Sequence, residues 1–279
     1  MNLMIGEELS QKIKNELKQE IKSYMIKPCV TVIQLGNDIA NNNYIQAKVK
    51  ACNEVGIYLK HINFPDDVKE IEVINKIVEL NNDDYVNGII LQLPIPEKFN
   101  QQKLINYIAR NKDIDGLTDL NLGKIWNGKK TLVSCVPQAI LELCDFYQIP
   151  LEGKHVVIIN RSSLVGKPLL GLLLNRDATV TVCHSKTKNI DEYTKQADII
   201  ITAVGKKNFI VGDMIKKDAV IFDVGNFYED GKIYGDVDFN SVKDKALYIT
   251  PTPGGIGPVT ITMMLKNVVD AYKKMNIEK

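Results

Sequence analysis

The sequence predicts an α/β protein of two domains, each built on a parallel sheet, and three observations predict it. Apolar stretches of strand length alternate with amphipathic stretches of helix length from end to end, a rhythm that implies right-handed crossovers between parallel strands. With 279 residues the chain can fill two domains or one large one. The rhythm breaks at 115–133, where Asn127-Gly128 and the Lys129-Lys130 pair suggest a connection between domains.

Each element has its own local warrant. Residues 6–24 carry apolar side chains at helical spacing. The run CVTVIQL (29–35) reads as a strand and is followed by a polar turn and a helix over 40–55, stopped by Gly56 in the usual left-handed position. Strand 57–63, helix 69–81 and strand 86–92 follow, and Pro94 and Pro96 end the last of these. Helices are expected at 101–109 and about 136–147, with Pro150 and Gly153 as punctuation. In the second half HVVIIN (155–160) reads as a strand running through a turn into helix 165–175. Strands at 178–182, 198–203 and 219–223 complete a nucleotide-binding pattern. Residues 227–239, FYEDGKIYGDVDF, read as a hairpin turning at Asp230-Gly231. A final helix, about 258–275, starts at the glycine- and proline-rich turn 251–260.

Composition narrows the function classes. A formal charge of +1 gives no electrostatic case for nucleic acid or an anionic membrane as partner. Glu7, Glu8 and Lys12 interrupt the first apolar residues, so neither a secretory signal nor a membrane span is expected. Cys29, Cys52, Cys135, Cys144 and Cys183 lack metal-type spacing, which points to a reduced, cytoplasmic home and no metal site. Cys183 and His184 are neighbours on a strand and so face opposite ways, while His61 and His155 have no supporting cluster.

Three short motifs are candidates for chemistry. Tyr44 and Lys48 stand four apart, which puts a phenol and an amine on one helix face just after a strand, at the carboxyl edge of a sheet. Alone, the pair reads more readily as a solvated helix surface. Gln92 ends the apolar run GIILQ (88–92), where its amide can accept from an ammonium and donate to a carbonyl. Asp115 precedes Gly116 in KDIDGL (112–117), which by itself is a turn.

Taken in order with NRSSLVGKP (160–168), TVTVCHSKT (179–187), ADIIITAVG (197–205), GDVDF (235–239) and PTPGGIGPVT (251–260), these motifs resemble the methylenetetrahydrofolate dehydrogenase/methenyltetrahydrofolate cyclohydrolase family over nearly the whole chain. The resemblance implies a folate-binding catalytic α/β domain at 1–120, joined by the final helix at about 258–279, and a Rossmann-like NADP-binding domain at 135–255, with a cleft between them. It further implies a homodimer acting on tetrahydrofolate derivatives. Lys48, Tyr44, Gln92 and Asp115 would be catalytic, with Tyr44, Gln92, Asp115, Pro253, Gly254 and Gly255 touching folate. The cofactor would meet Asn160, Arg161, Ser162, Val165, Gly166, Ser185, Gly205, Gly225 and Ile256.

The residues give these assignments physical content. NRSSLVGKP stands where a dinucleotide fold has its glycine fingerprint; free N–H groups at the following helix would offer an anion site, and the Arg161 fork suits a phosphate. After strand 178–182, where an acid usually reads the ribose, the chain has Ser185, Lys186 and Lys188, which favours NADP over NAD. The implied reaction oxidises 5,10-methylenetetrahydrofolate to the methenyl cation and hydrolyses that to 10-formyltetrahydrofolate. Lys48 would move the protons of the second step, Gln92 would orient the amine, Tyr44 would pack on the folate and Asp115 would accept from the pterin.

Several positions depart from the family pattern. Ser134-Cys135-Val136-Pro137 stands where proline-cysteine-threonine-proline is common, and Ala139 replaces a frequent glycine. Asn160 replaces a glycine, Asn226-Phe227 replaces isoleucine-asparagine, and Asn41 replaces a serine. A dehydrogenase without the cyclohydrolase, an NADP enzyme for another small substrate, and a non-catalytic folate- or nucleotide-binding protein remain as alternatives.

Overall fold

The computed structural model describes residues 1–229 and 231–277. In chain order the elements are β1 (Asn2–Leu3), α1 (Gly6–Lys22), β2 (Cys29–Leu35), α2 (Ile39–Val55), β3 (Tyr58–Phe64), α3 (Glu70–Asn82), β4 (Gly88–Leu91), α4 (Gln101–Tyr107), α5 (Asp119–Trp126), α6 (Cys135–Phe146), β5 (His155–Ile159), α7 (Gly166–Leu174), β6 (Thr179–Cys183), α8 (Ile190–Thr194), β7 (Ile199–Thr202), β8 (Val220–Asp223), β9 (Phe227–Glu229), β10 (Lys232–Tyr234), α9 (Phe239–Val242), β11 (Tyr248–Ile249) and α10 (Ile256–Ile277). They form two compact units, Lys12–Cys135 with Ile261 onward, and Met1–Gln11 with Val136–Thr260.

The first of these units holds a parallel sheet in the order β3-β2-β4. Central β2 is buried along nearly its whole length, which is why it reads as a largely apolar run, broken by Thr31 and Gln34, rather than an alternation. Edge strand β3 alternates, with Tyr58 exposed and Ile62 half-buried against the core of Ile33, Ile77, Ile89 and Leu104. Helix α2 begins at Asp38, whose carboxylate accepts from the Asn41 N–H at 2.8 Å. It ends at Gly56, φ 91°, whose N–H returns to the Cys52 carbonyl.

The other unit holds six parallel strands in the order β1-β11-β8-β7-β5-β6 over a core that includes Val157, Ile200, Ile221 and Ile249. The chain leaves β5 for β6 on one side and returns to β7 on the other. The carboxyl edge between β5 and β7 is therefore a switch point, where open α/β sheets bind ligands. Strands β9 and β10 form a separate antiparallel ribbon with Glu229 opposite Lys232; of its expected turn, Asp230 lies outside the described residues.

Several segments differ from the sequence expectation, the short α8, α9 and β11 among them. Residues 115–133 contain helix α5, capped by Thr118, whose hydroxyl accepts from the Asn121 N–H at 3.3 Å. Its short apolar pattern is interrupted by Gly123, which hid it. Strand β1 is two residues long, too short to show a period, and exists because it pairs with β11. Residues 1–11 group with the six-stranded unit.

Candidate active site

Tyr44 and Lys48 lie one turn apart on α2, which the carboxyl end of β2 feeds. Tyr44 is 50% exposed, whereas Lys48 is half-buried. Gln92 follows β4 directly, its N–H bonded to the Ile33 carbonyl at 2.8 Å, and is buried. Lys48 Nζ donates to Gln92 Oε1 at 2.8 Å.

The Gln92 amide is not free to turn over. Its Nε2 donates to the Leu93 carbonyl at 2.9 Å and to Asn41 Oδ1 at 3.3 Å, which leaves Oε1 for the lysine. Asn41 in turn donates from Nδ2 to the Pro94 carbonyl at 3.0 Å. Residues 41 and 48 are seven apart and share a helix face, which brings both to Gln92. A parallel link ties the next residue of α2: Gln34 Nε2 donates to Asn42 Oδ1 at 2.9 Å, and His61 Nε2 lies 2.9 Å from Gln34 Oε1. Together these bonds fix the first turns of α2, and with them Tyr44 and Lys48, against the strand ends.

Asp115 sits in a loop organised by a different carboxylate. Asp113 is buried and accepts from the N–H groups of Leu117 and Thr118 at 3.2 and 2.8 Å, and from Asn121 Nδ2 at 2.8 Å. Gly116, φ 63°, presses against residues 132–134, where a Cβ would come within 2.8 Å of the Leu132 carbonyl oxygen. From α10, Asn267 Nδ2 donates to the carbonyls of Ile114 and Val133 at 2.8 and 2.9 Å. Burial pushes the Asp115 carboxyl above the ordinary carboxylate range, the Lys48 charge pulls it part of the way back, and Asp113 pushes it up again. Cys135 Sγ lies 3.9 Å from Asp115 Oδ1, and burial raises its thiol well above the usual value.

The six-stranded unit carries the remaining candidates on its carboxyl edge. Asn160 follows β5, Ser185 follows β6 after His184, Gly205 lies beyond β7, and Gly225 lies beyond β8. The expected free N–H groups at the opening of α7 are instead bonded inside the loop. Val165 N–H donates to Ser162 Oγ at 3.1 Å, Gly166 N–H to Asn160 Oδ1 at 3.0 Å, and Lys167 N–H to the Ser162 carbonyl at 3.0 Å. Asn160, the residue standing for the usual glycine, causes part of this. Its Oδ1 also accepts from the Ser162 N–H and hydroxyl, each at 2.8 Å, and its Nδ2 donates to the Ala203 carbonyl at 2.7 Å. Pro253, Gly254, Gly255 and Ile256 lead into α10 in this same unit, apart in sequence from the Lys48–Gln92 pair.

The edge fits a phosphorylated dinucleotide. Arg161, Lys167, Ser185, Lys186 and Lys188 are exposed, and residues 184–188 contain no acid. Gly205, φ 67°, has open space where a Cβ would stand, so its backbone is accessible. Among the described residues no three His, Cys, Asp or Glu side chains are grouped to hold a metal. Among those residues no helix is long and apolar enough to cross a membrane.

Comparison with known proteins bears on both units. A family model described as "tetrahydrofolate dehydrogenase/cyclohydrolase, catalytic domain" matches residues 4–115, and one for the same family's "NAD(P)-binding domain" matches residues 134–276. The chain is 48% identical over 278 residues to bifunctional protein FolD of Oceanobacillus iheyensis, covering 98% of each. A crystal structure of the bifunctional enzyme FolD, methylenetetrahydrofolate dehydrogenase/cyclohydrolase, from Campylobacter jejuni is 43% identical with a TM-score of 0.96, over 98% of this chain and 99% of that one. A Trypanosoma brucei methylenetetrahydrofolate dehydrogenase-cyclohydrolase, complexed with NADP and an inhibitor, is 30% identical with a TM-score of 0.93, over 99% and 98%.

Proposed function

We propose, from the premise that this chain belongs to the tetrahydrofolate dehydrogenase/cyclohydrolase family, that Lys48 carries the protons of a two-step folate interconversion. The chain oxidises 5,10-methylenetetrahydrofolate to 5,10-methenyltetrahydrofolate with NADP, then hydrolyses that product to 10-formyltetrahydrofolate. The observation that carries the assignment of Lys48 is its bond to a Gln92 amide whose orientation is fixed by Asn41 and Leu93.

The protein's part in the first step is orientation, which needs no acid or base. NADP, when bound, accepts the hydride. Tyr44 packs on the folate and the ionised Asp115 accepts from the pterin N–H groups, which fixes the methylene carbon relative to α2. Pro253, Gly254 and Gly255 are part of the proposal as folate contacts. On the cofactor side Arg161 and Ser185 take the phosphate on the adenosine ribose, and Gly205, Gly225 and Ile256 contact the dinucleotide. Asn160, Ser162, Val165 and Gly166 shape the loop at the opening of α7, a role supported by the bonds among them.

Hydrolysis needs proton transfer. Water adds to the methenyl carbon, the Lys48 amine in its neutral form takes a proton from it, and the same nitrogen, now an ammonium, returns a proton to the folate nitrogen that leaves. Gln92 Oε1, by accepting from Nζ, directs the rest of the amine without adding charge. The test is Lys48→Met, which keeps most of the stem and removes the amine. Cyclohydrolase turnover falls about 10²–10⁴-fold, dehydrogenase turnover falls much less, and methenyl product accumulates. An intact cyclohydrolase would exclude Lys48 as the proton carrier.

The proposal extends to a homodimer, supported by the β9–β10 ribbon, and to a cytoplasmic location, supported by five free cysteines.

A further inference from the structure

Two buried carboxylates stand behind the carboxyl edge of the six-stranded sheet, and the proposed chemistry uses neither. Asp223 ends β8, and Asp236 follows the β9–β10 ribbon. Asp236 is fully buried and pairs with no cation among the described residues. Its Oδ2 accepts from Thr202 Oγ1 at 2.9 Å and from the Val204 N–H at 2.7 Å, and its Oδ1 accepts from the Lys206 N–H at 2.8 Å. Burying a carboxylate is unfavourable unless donors surround it, and here two of the three donors are peptide groups of one loop. What the charge fixes is therefore the path of that loop.

The loop runs from the end of β7 through Gly205. Every second residue, 202, 204 and 206, is tied inward to Asp236, while Gly205 between them faces open space. A second tie comes from Asn160, whose Nδ2 holds the Ala203 carbonyl. The neighbouring loop is built on the same pair of acids. Asp223 accepts from the N–H groups of Gly225 and Asp236, both at 2.9 Å, and of Val237 at 3.1 Å. A Cβ on Gly225 would collide with the Asp236 carboxylate, so this glycine is closed against the acid that shapes the first loop.

We infer that Asp236 is a positioning residue for the dinucleotide: it holds residues 204–206 in the conformation that presents Gly205, and backs Gly225, at the cofactor edge. The inference rests on the proposed cofactor roles of Gly205 and Gly225. It acts through backbone and not through the ribose phosphate, which gives it a signature distinct from that of Arg161.

Asp236→Asn keeps the shape and turns a donor toward the N–H groups. NADP and NAD binding, measured by calorimetry on the purified protein, weaken about tenfold or more and by the same factor, and both Michaelis constants rise with them. Cyclohydrolase turnover, assayed with the methenyl substrate supplied directly and no cofactor, stays within about twofold, because that step takes no hydride. Cofactor affinity within about twofold of wild type, or an equal loss of both activities, overturns the inference. If Asp236→Asn gives no cooperative melt, Thr202→Val decides. It removes one donor, and a few-fold loss of affinity for both cofactors is expected, while unchanged affinity overturns the inference. Arg161→Ala reports on the underlying cofactor reading: it weakens NADP and spares NAD. Should it leave NADP binding intact, the cofactor site itself is misassigned; an effect there, with none at Asp236, sinks only the present inference.

Discussion

Asp115 is held between two opposing influences, and the balance is testable. Burial raises its carboxyl, and the Lys48 charge lowers it again. In the role proposed for Asp115 only the ionised form accepts from the pterin, so folate binding would be present above the folded pKa and lost as pH falls through it. The Michaelis constant for methylenetetrahydrofolate therefore rises on the acid side, at a pH above the ordinary carboxylate range. Lys48→Met removes the influence that lowers the pKa, so in its surviving dehydrogenase activity the same acid limb moves to higher pH. A limb that stays in place would mean that the lysine and the carboxylate do not sense each other. Of this arrangement the sequence offered Tyr44, Lys48, Gln92 and Asp115 as candidates through the ordered motifs by which the chain resembles the family, not through their local spacing alone. It did not make Asn41 legible as the residue that orients Gln92, because that contact depends on how α2 meets the end of β4.

Elements carry the site by their ends. Helix α2 is fixed at its start by Asp38, Asn41 and Asn42, and stopped by Gly56. The Asp115 loop, in contrast, depends on α10, which reaches it through one buried amide, Asn267. Asn267→Ala leaves the carbonyls of Ile114 and Val133 without that donor. A buried unsatisfied group costs about 1–3 kcal/mol, so the variant is expected to lose about that much in chemical denaturation. Its Michaelis constant for folate rises with the loosened loop. A denaturation midpoint equal to wild type would show that the amide bonds are replaced by water. The capping Asp38 and Gly56 are ordinary sequence signals, whereas Asn267 lies inside a helix and has none.

At the scale of the whole molecule the proposed assembly gives a direct expectation: light scattering at micromolar concentration yields the mass of two chains, and a single-chain mass of 31.3 kDa refutes the homodimer. The sequence by itself determined the alternation of strands and helices, the order of the motifs and the family, because periodicity, turn residues and motif spacing are local properties that survive without a fold. Tertiary structure alone decided the rest. Strand β1 exists only by pairing with β11, at the far end of the chain. Helix α5 forms where local punctuation argued for a connection, its first turn closed by Thr118 and its Asn121 taken by Asp113. The first N–H groups of α7 are already bonded to the loop before them. Asp113 and Asp236, which read as plain acids in the sequence, became organisers of loops once burial left backbone N–H groups as their partners. Two physical reasons apply: the β1–β11 pairing and the Asp236 bonds join residues far apart in sequence and have no local period, and in the other cases a buried polar group is defined by what the fold brings to it.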